Sequence, residues 1–265
     1  MLAHEIDYKI YGDDMQFVEI ELDPNETVIA EAGGMMMMDS AIRMETIFGD
    51  ANHGGGGFMD KLFSAGKRVL TGESLFMTTF TNAGYGKQKV AFASPYPGKI
   101  IPMNLLELGG KLICQKDAFL CAAKGVSIGI DFRRKLSVGF FGGEGFILQK
   151  LEGDGLAFIH AGGTIIKKDL MPGQTLKVDT GCLVAMTRDV HYDIEFVGGV
   201  KNTLFGGEGL FFATLTGPGS VWIQSLPFSR LASKVFAAAG VAGRGRKDEG
   251  SILGNIGNLF DGDGF

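Results

Sequence analysis

Apolar and polar residues alternate along much of the chain, as they do in strands that bury one face. In Val18–Leu22, apolar side chains at every second position are separated by Glu19 and Glu21. The same period of two recurs in Ser127–Phe132, Leu176–Asp179 and His191–Phe196. A period of two predicts β-strands rather than helices.

Turn residues interrupt these segments at close, regular intervals. The turns comprise Asp23-Pro24-Asn25, Gly109-Gly110, Pro172-Gly173, Gly198-Gly199 and Gly217-Pro218-Gly219. This spacing favours a sandwich, barrel or prism of antiparallel strands. The chain has 42 glycines among its 265 residues, which suits such a fold because glycine supplies positive φ at tight turns and bulges.

The sequence repeats itself. The segment Phe141–Gly145, FGGEG, recurs 64 residues later as Phe205–Gly209, and Gly72–Leu75 matches Gly143–Phe146 as part of a third copy. Further pairs share the 64-residue offset: Gly109 with Gly173, Leu112 with Leu176, Ile130 with Ile194 and Leu151 with Leu215. We therefore predict three repeats, at about 1–94, 95–162 and 163–227, within one β domain of residues 1–230 that has pseudo-threefold character.

Helical signals are few. Phe58–Lys67 predicts a short amphipathic helix inserted in the first repeat, and Phe228–Ala239 predicts a C-terminal helix with Leu231 and Val235 on one face. Residues 231–265 form the predicted helix and Gly-rich tail, where Ile252, Ile256 and Phe260 share a face.

These features together resemble the AIM24 family: the triplicated β unit, the FGGEG blocks, the Gly-rich insertion leading into Gly72–Leu75 and the tail. The resemblance covers about residues 1–230. It implies an all-β fold of the double-stranded β-helix, prism-like or TRAP-like type, and homo-oligomeric association with a trimer favoured. Eukaryotic members are mitochondrial and linked to inner-membrane organisation. The resemblance brings no catalytic residues to this chain.

Composition narrows the function classes. The net charge of −5 argues against a dedicated nucleic-acid binder. The three cysteines cannot all pair, which fits a reducing compartment. The N-terminus lacks a signal peptide or transit-peptide pattern, and no apolar run is long enough to span a membrane. We expect a cytoplasmic protein, with peripheral membrane contact as an open alternative.

One glutamate recurs in each repeat: Glu73, Glu144 and Glu208. A ring of three carboxylates would bind a cation or a small ligand. Alternatively, each carboxylate accepts hydrogen bonds from backbone N–H groups at a glycine corner.

Catalytic and metal-binding patterns do not stand out. His4, His53, His160 and His191 are far apart, and Cys114 and Cys121 lie in apolar segments typical of buried thiols. No phosphate-binding loop or nucleophile elbow is present. We expect no enzymatic activity, no metal and no cofactor.

Apolar residues that are candidates for exposure form the predicted interaction surface: Met35, Met36, Met37, Met38, Phe58 and Phe63. In a strand, two of the four methionines would point outward. These residues would face a membrane or a protein partner, or else fill a subunit interface. We predict a non-enzymatic homo-oligomeric β scaffold or interaction protein that organises partners or lies beside a membrane. The alternative is a small-ligand or cation-binding module with threefold-related clefts.

Overall fold

The computed structural model describes residues 3–31, 33–48, 76–134, 146–197 and 210–238. These residues form nineteen strands and one helix, α1. The strands are β1 Asp7–Tyr11, β2 Phe17–Leu22, β3 Thr27–Glu31, β4 Met35–Met38, β5 Ile42–Phe48, β6 Phe76–Asn82, β7 Gln88–Ala93, β8 Gly98–Asn104, β9 Lys111–Gln115, β10 Phe119–Ala123, β11 Ser127–Arg134, β12 Phe146–Glu152, β13 Leu156–Gly162, β14 Ile165–Leu170, β15 Thr175–Asp179, β16 Leu183–Thr187, β17 His191–Val197, β18 Leu210–Thr216 and β19 Gly219–Gln224. Helix α1 is Phe228–Ala238. The predicted all-β class is confirmed.

The strands form four antiparallel sheets. Sheet 1 has the order β1-β2-β7-β4, and sheet 2 has the order β5-β6-β3-β10-β13-β8. Sheet 3 has the order β11-β12-β9-β16-β19-β14, and sheet 4 has the order β15-β18-β17. Sheets 2 and 3 therefore share one arrangement, in which each strand of sheet 3 is numbered six higher than its counterpart in sheet 2.

Three clusters of buried apolar side chains lie between the four sheets, and each cluster contains residues of two sheets. One joins sheets 1 and 2 and contains Ile20 and Phe158, the next joins sheets 2 and 3, and the last joins sheets 3 and 4. Strand β3 is buried on both faces, since Ile29 belongs to one cluster and Val28 and Ala30 to another. The sheets thus pack as successive layers.

The alternating segments fold as the pattern predicts. In β2, Val18, Ile20 and Leu22 are fully buried, while Glu19 and Glu21 lie on the other face and bind Lys89 and Lys87. The tight turns also follow the sequence, because Gly109, Gly110 and Gly173 have positive φ.

The C-terminal helix is present where the sequence predicts it, and Ala239 lies outside the described residues. Residues Met1–Phe228 form one compact unit, and Ser229–Phe265 belong to a second. The predicted boundary at residue 230 and the inserted helix of Phe58–Lys67 stay predictions, and the latter lies outside the described residues. No helix in the described ranges is long and apolar enough to cross a bilayer.

Candidate functional sites

The described residues contain two candidate sites: an exposed strand edge formed by β4, and a buried polar group beside Glu31. The repeated glutamates Glu73, Glu144 and Glu208 lie outside the described residues, as do Phe58 and Phe63 of the predicted interaction surface. Their proposed roles stay predictions. Of the predicted site residues, the structure places Met35–Met38.

The four methionines form strand β4 at the edge of sheet 1. All four side chains are exposed, with exposed fractions of 37% for Met35, 51% for Met36, 45% for Met37 and 40% for Met38. Two of the four were expected to point outward, and the structure leaves all four exposed. The physical reason is that β4 pairs with β7 alone among the described strands, so its outer edge and both faces are accessible.

The pairing of β4 with β7 contains a bulge. Met35 lies opposite Phe92 and Met37 opposite Ala91, so Met36 is the extra residue. Asp39 follows the strand and closes it onto β7, because its carboxylate accepts a hydrogen bond from the Lys89 backbone N–H at 2.8 Å. The chain therefore holds β4 in an extended conformation even though one edge has no described neighbour.

Natural sheet edges are usually protected by lysine or proline. Strand β14 carries Lys167 and Lys168, and β8 carries Pro102. Strand β4 has no charge and no proline. An extended, uncharged and exposed edge favours pairing with another strand.

Strand β15 lies at one edge of sheet 4, as β4 lies at one edge of sheet 1. Its described strand neighbour is β18, in which Ala213 lies opposite Val178. Val178 is buried in the cluster between sheets 3 and 4, whereas Thr175 and Lys177 are exposed. Lys177 reaches across β18 and binds Glu195 on β17 at 3.0 Å.

The buried polar group lies between sheets 2 and 3. Glu31 ends β3, and Gln149 lies on β12 opposite Cys114. Gln149 is fully buried, and neither its amide nitrogen nor its amide oxygen has a partner at normal hydrogen-bond distance and angle, although the Glu31 carboxyl lies close enough to interact with its side chain. Buried amides are rarely left without partners, so this position is energetically costly for the fold.

Burial raises the pKa of Glu31 to about 7, and the nearby Asp117 carboxylate raises it further, while Lys116 and Gln149 oppose the change. Asp117 and Lys116 belong to the short 3-10 turn Lys116–Ala118 that leads into β10. Nothing in the sequence indicates this group, because a carboxylate that ends an apolar strand is typical of a surface position.

His160 is buried, with an exposed fraction of 2%. Its Nε2 contacts the Tyr96 carbonyl oxygen at 3.2 Å, and its Nδ1 has no hydrogen-bond partner. Burial lowers its pKa to about 4, so His160 is a neutral core residue at pH 7. Cys114 and Cys121 are buried as the sequence predicts, and in the described ranges no three His, Cys, Asp or Glu side chains converge as metal ligands.

Comparison with known proteins identifies the family. The family model described as "Mitochondrial biogenesis AIM24" matches residues 8–226. The chain belongs to the AIM24 family.

Two relatives come from Streptococcus pyogenes. An uncharacterized protein of the serotype M6 strain is 32% identical over 222 residues, which cover 82% of this chain and 85% of that protein. A crystal structure of an S. pyogenes protein from a structural genomics consortium matches with a TM-score of 0.68 and 25% identity, covering 88% of this chain and all of that one.

Proposed function

We propose that this AIM24 protein is a non-enzymatic homo-oligomeric scaffold, and that the edge strand β4 is its assembly surface. The observation that carries the proposal is the exposure of four consecutive methionines on an extended strand without edge protection. A membrane or protein partner would then bind the assembled scaffold rather than each chain.

The fold proposed for this scaffold is three copies of one unit in a TRAP-like, pseudo-threefold body. The shared strand order of sheets 2 and 3 supports it, as does the 64-residue offset between the FGGEG blocks. The family resemblance favours a trimer and peripheral contact to a membrane. The three cysteines, which cannot all pair, favour a location in the cytoplasm.

Size-exclusion chromatography with light scattering tests the proposal. The wild-type chain is expected to elute with a mass that is a multiple of 28.3 kDa. The variant Met37→Lys places a charge on the β4 edge and is expected to shift the mass toward that of one chain. The control is Leu106→Lys, since Leu106 is exposed on the turn between β8 and β9, outside both β4 and β15.

Two outcomes would count against a scaffold that assembles through β4. One is a wild-type mass of 28.3 kDa across the accessible concentration range. The other is an oligomer of the same mass in Met37→Lys as in the wild type. Circular dichroism of both variants shows whether a lower mass reflects lost assembly or lost folding.

The alternative function, a ligand- or cation-binding module at Glu73, Glu144 and Glu208, stays a prediction.

Adding anionic vesicles to the light-scattering samples tests the membrane part of the proposal separately from assembly.

A further inference from the structure

The chain makes one kind of strand junction twice within itself. Strand β10 lies between β13 and β3 in sheet 2, and β16 lies between β19 and β9 in sheet 3. Both junctions are antiparallel, with Cys121 opposite Ala30 in the first and Ala185 opposite Cys114 in the second. Each junction joins two three-stranded halves into one six-stranded sheet.

Strand β4 pairs with β7 in the same way as β10 pairs with β13 and β16 pairs with β19. All three have a bulge at their second residue: β10 against β13, β16 against β19 and β4 against β7. By this correspondence, Met37 occupies the position of Cys121 and Ala185. The difference is that no described strand lies on the other side of β4.

Strand β15 is built like β3 and β9. It pairs with β18 as β3 pairs with β6 and β9 pairs with β12. Val178 is the fourth residue of its five-residue strand, as Ala30 and Cys114 are of theirs. In β15, however, the side that would bind a counterpart of β10 or β16 has no described strand.

The three bulged strands β10, β16 and β4 differ sharply in how deeply they are buried. Every residue of β10 is buried, and Leu183–Met186 of β16 have exposed fractions of 1% or less. Met35–Met38 are 37% to 51% exposed. The surface that is core at β10 and β16 is exposed at β4, where the described residues supply no second neighbouring strand.

A third junction of the same kind would join sheet 4, through its edge strand β15, to sheet 1, through its edge strand β4. Placed edge to edge, they give the order β17-β18-β15-β4-β7-β2-β1. This matches the order of sheets 2 and 3, with β1 added at the end. The two halves lie on one chain but are not paired with each other, so the fitting partner for each is a second copy of the chain.

We propose that β4 of one chain pairs antiparallel with β15 of the next, in the register that the chain uses internally. Met37 then lies opposite Val178, Met38 opposite Lys177 and Asp39 opposite Leu176 of the neighbouring copy. This inference rests on the proposed oligomer and adds its partner strand and register. The contact is head-to-tail and leaves neither edge open when the assembly closes into a ring.

Disulfide cross-linking tests the register in the full-length chain. The variant Met37→Cys/Val178→Cys, in a Cys182→Ser background, is expected to give interchain disulfides and a ladder on non-reducing gels that ends at the ring size. The matched control is Met37→Cys/Leu176→Cys. Its cysteines would be diagonal neighbours about 7–8 Å apart, beyond the reach of a disulfide without backbone movement, so the ladder is expected to be lost.

Light scattering of the reduced variants shows whether each still assembles. An oligomer that forms the ladder with Val178→Cys and not with Leu176→Cys supports the register. An oligomer in which neither variant cross-links, or both do equally, overturns the inference and leaves the scaffold proposal intact. A wild-type chain that stays monomeric overturns both.

Discussion

Replacement of Glu31 by glutamine is expected to stabilise the protein at pH 8 and to have little effect at pH 4.5. The pKa of Glu31 rises from 4.5 in the unfolded chain to about 7 in the folded protein, so the folded state binds the proton more tightly. The stability that this provides is complete below pH 4.5 and is lost as the pH rises through 7. Glutamine has nearly the shape of the protonated carboxyl and never ionises.

The magnitude follows from the two pKa values. One pKa unit is equivalent to about 1.4 kcal/mol, so a rise from 4.5 to about 7 corresponds to about 3 kcal/mol at pH 8. Urea titrations of wild type and Glu31→Gln at pH 4.5 and pH 8 measure the difference in the free energy of unfolding. The protein concentration is held constant because assembly adds to the apparent stability.

His160 changes stability in the opposite direction, and its effect cancels in this comparison. Its pKa falls from 6.5 to about 4 on folding, so its contribution is present above pH 6.5 and is lost as the pH falls toward 4. Both proteins contain His160. The control Glu45→Gln alters an exposed carboxylate that pairs with Arg43 at 3.4 Å, and we expect a change within about 0.5 kcal/mol at both pH values. Equal wild-type and Glu31→Gln stabilities at pH 8 would refute the reasoning.

Two further predictions concern packing and thiol accessibility. Gly98→Ala is expected to lower the free energy of unfolding by at least about 2 kcal/mol, because the new Cβ would overlap a backbone carbonyl of β13. The matched control Gly86→Ala has open space at its Cβ and should change stability by less than about 1 kcal/mol; equal losses in urea titrations would contradict this. In native protein, a thiol reagent is expected to modify Cys182 much faster than Cys114 and Cys121, which are fully buried and whose pKa values are raised by burial. Mass spectrometry of peptides from briefly treated protein measures this, and rapid modification of either buried thiol would disprove it.

The sequence predicts the strands well because alternation is a local property. Val18, Ile20 and Leu22 must share a face in any extended conformation, and the structure buries all three. The C-terminal helix was also predictable, since Leu231 and Val235 recur at helical spacing. These elements need no knowledge of their partners.

The strand junctions and the buried polar group could not be predicted in the same way. The pairing of Cys121 with Ala30 joins residues that are far apart in sequence, and no local pattern specifies it. Glu31 is half-buried, and the Gln149 side chain that interacts with it belongs to another sheet. The exposure of Met36 depends on a bulge and on the fact that β4 has a single neighbour among the described strands, which a hydrophobic run does not reveal.

The pairing of β3 with β10 also affects how the chain folds during synthesis. Strand β3 leaves the ribosome about 90 residues before β10, which at typical rates takes about 5–20 s. Throughout that time one edge of β3 has no partner from its own chain. Neighbouring nascent chains on the same messenger RNA present the same edge to each other, so pairing between incomplete chains competes with correct folding, and slower translation lengthens that competition.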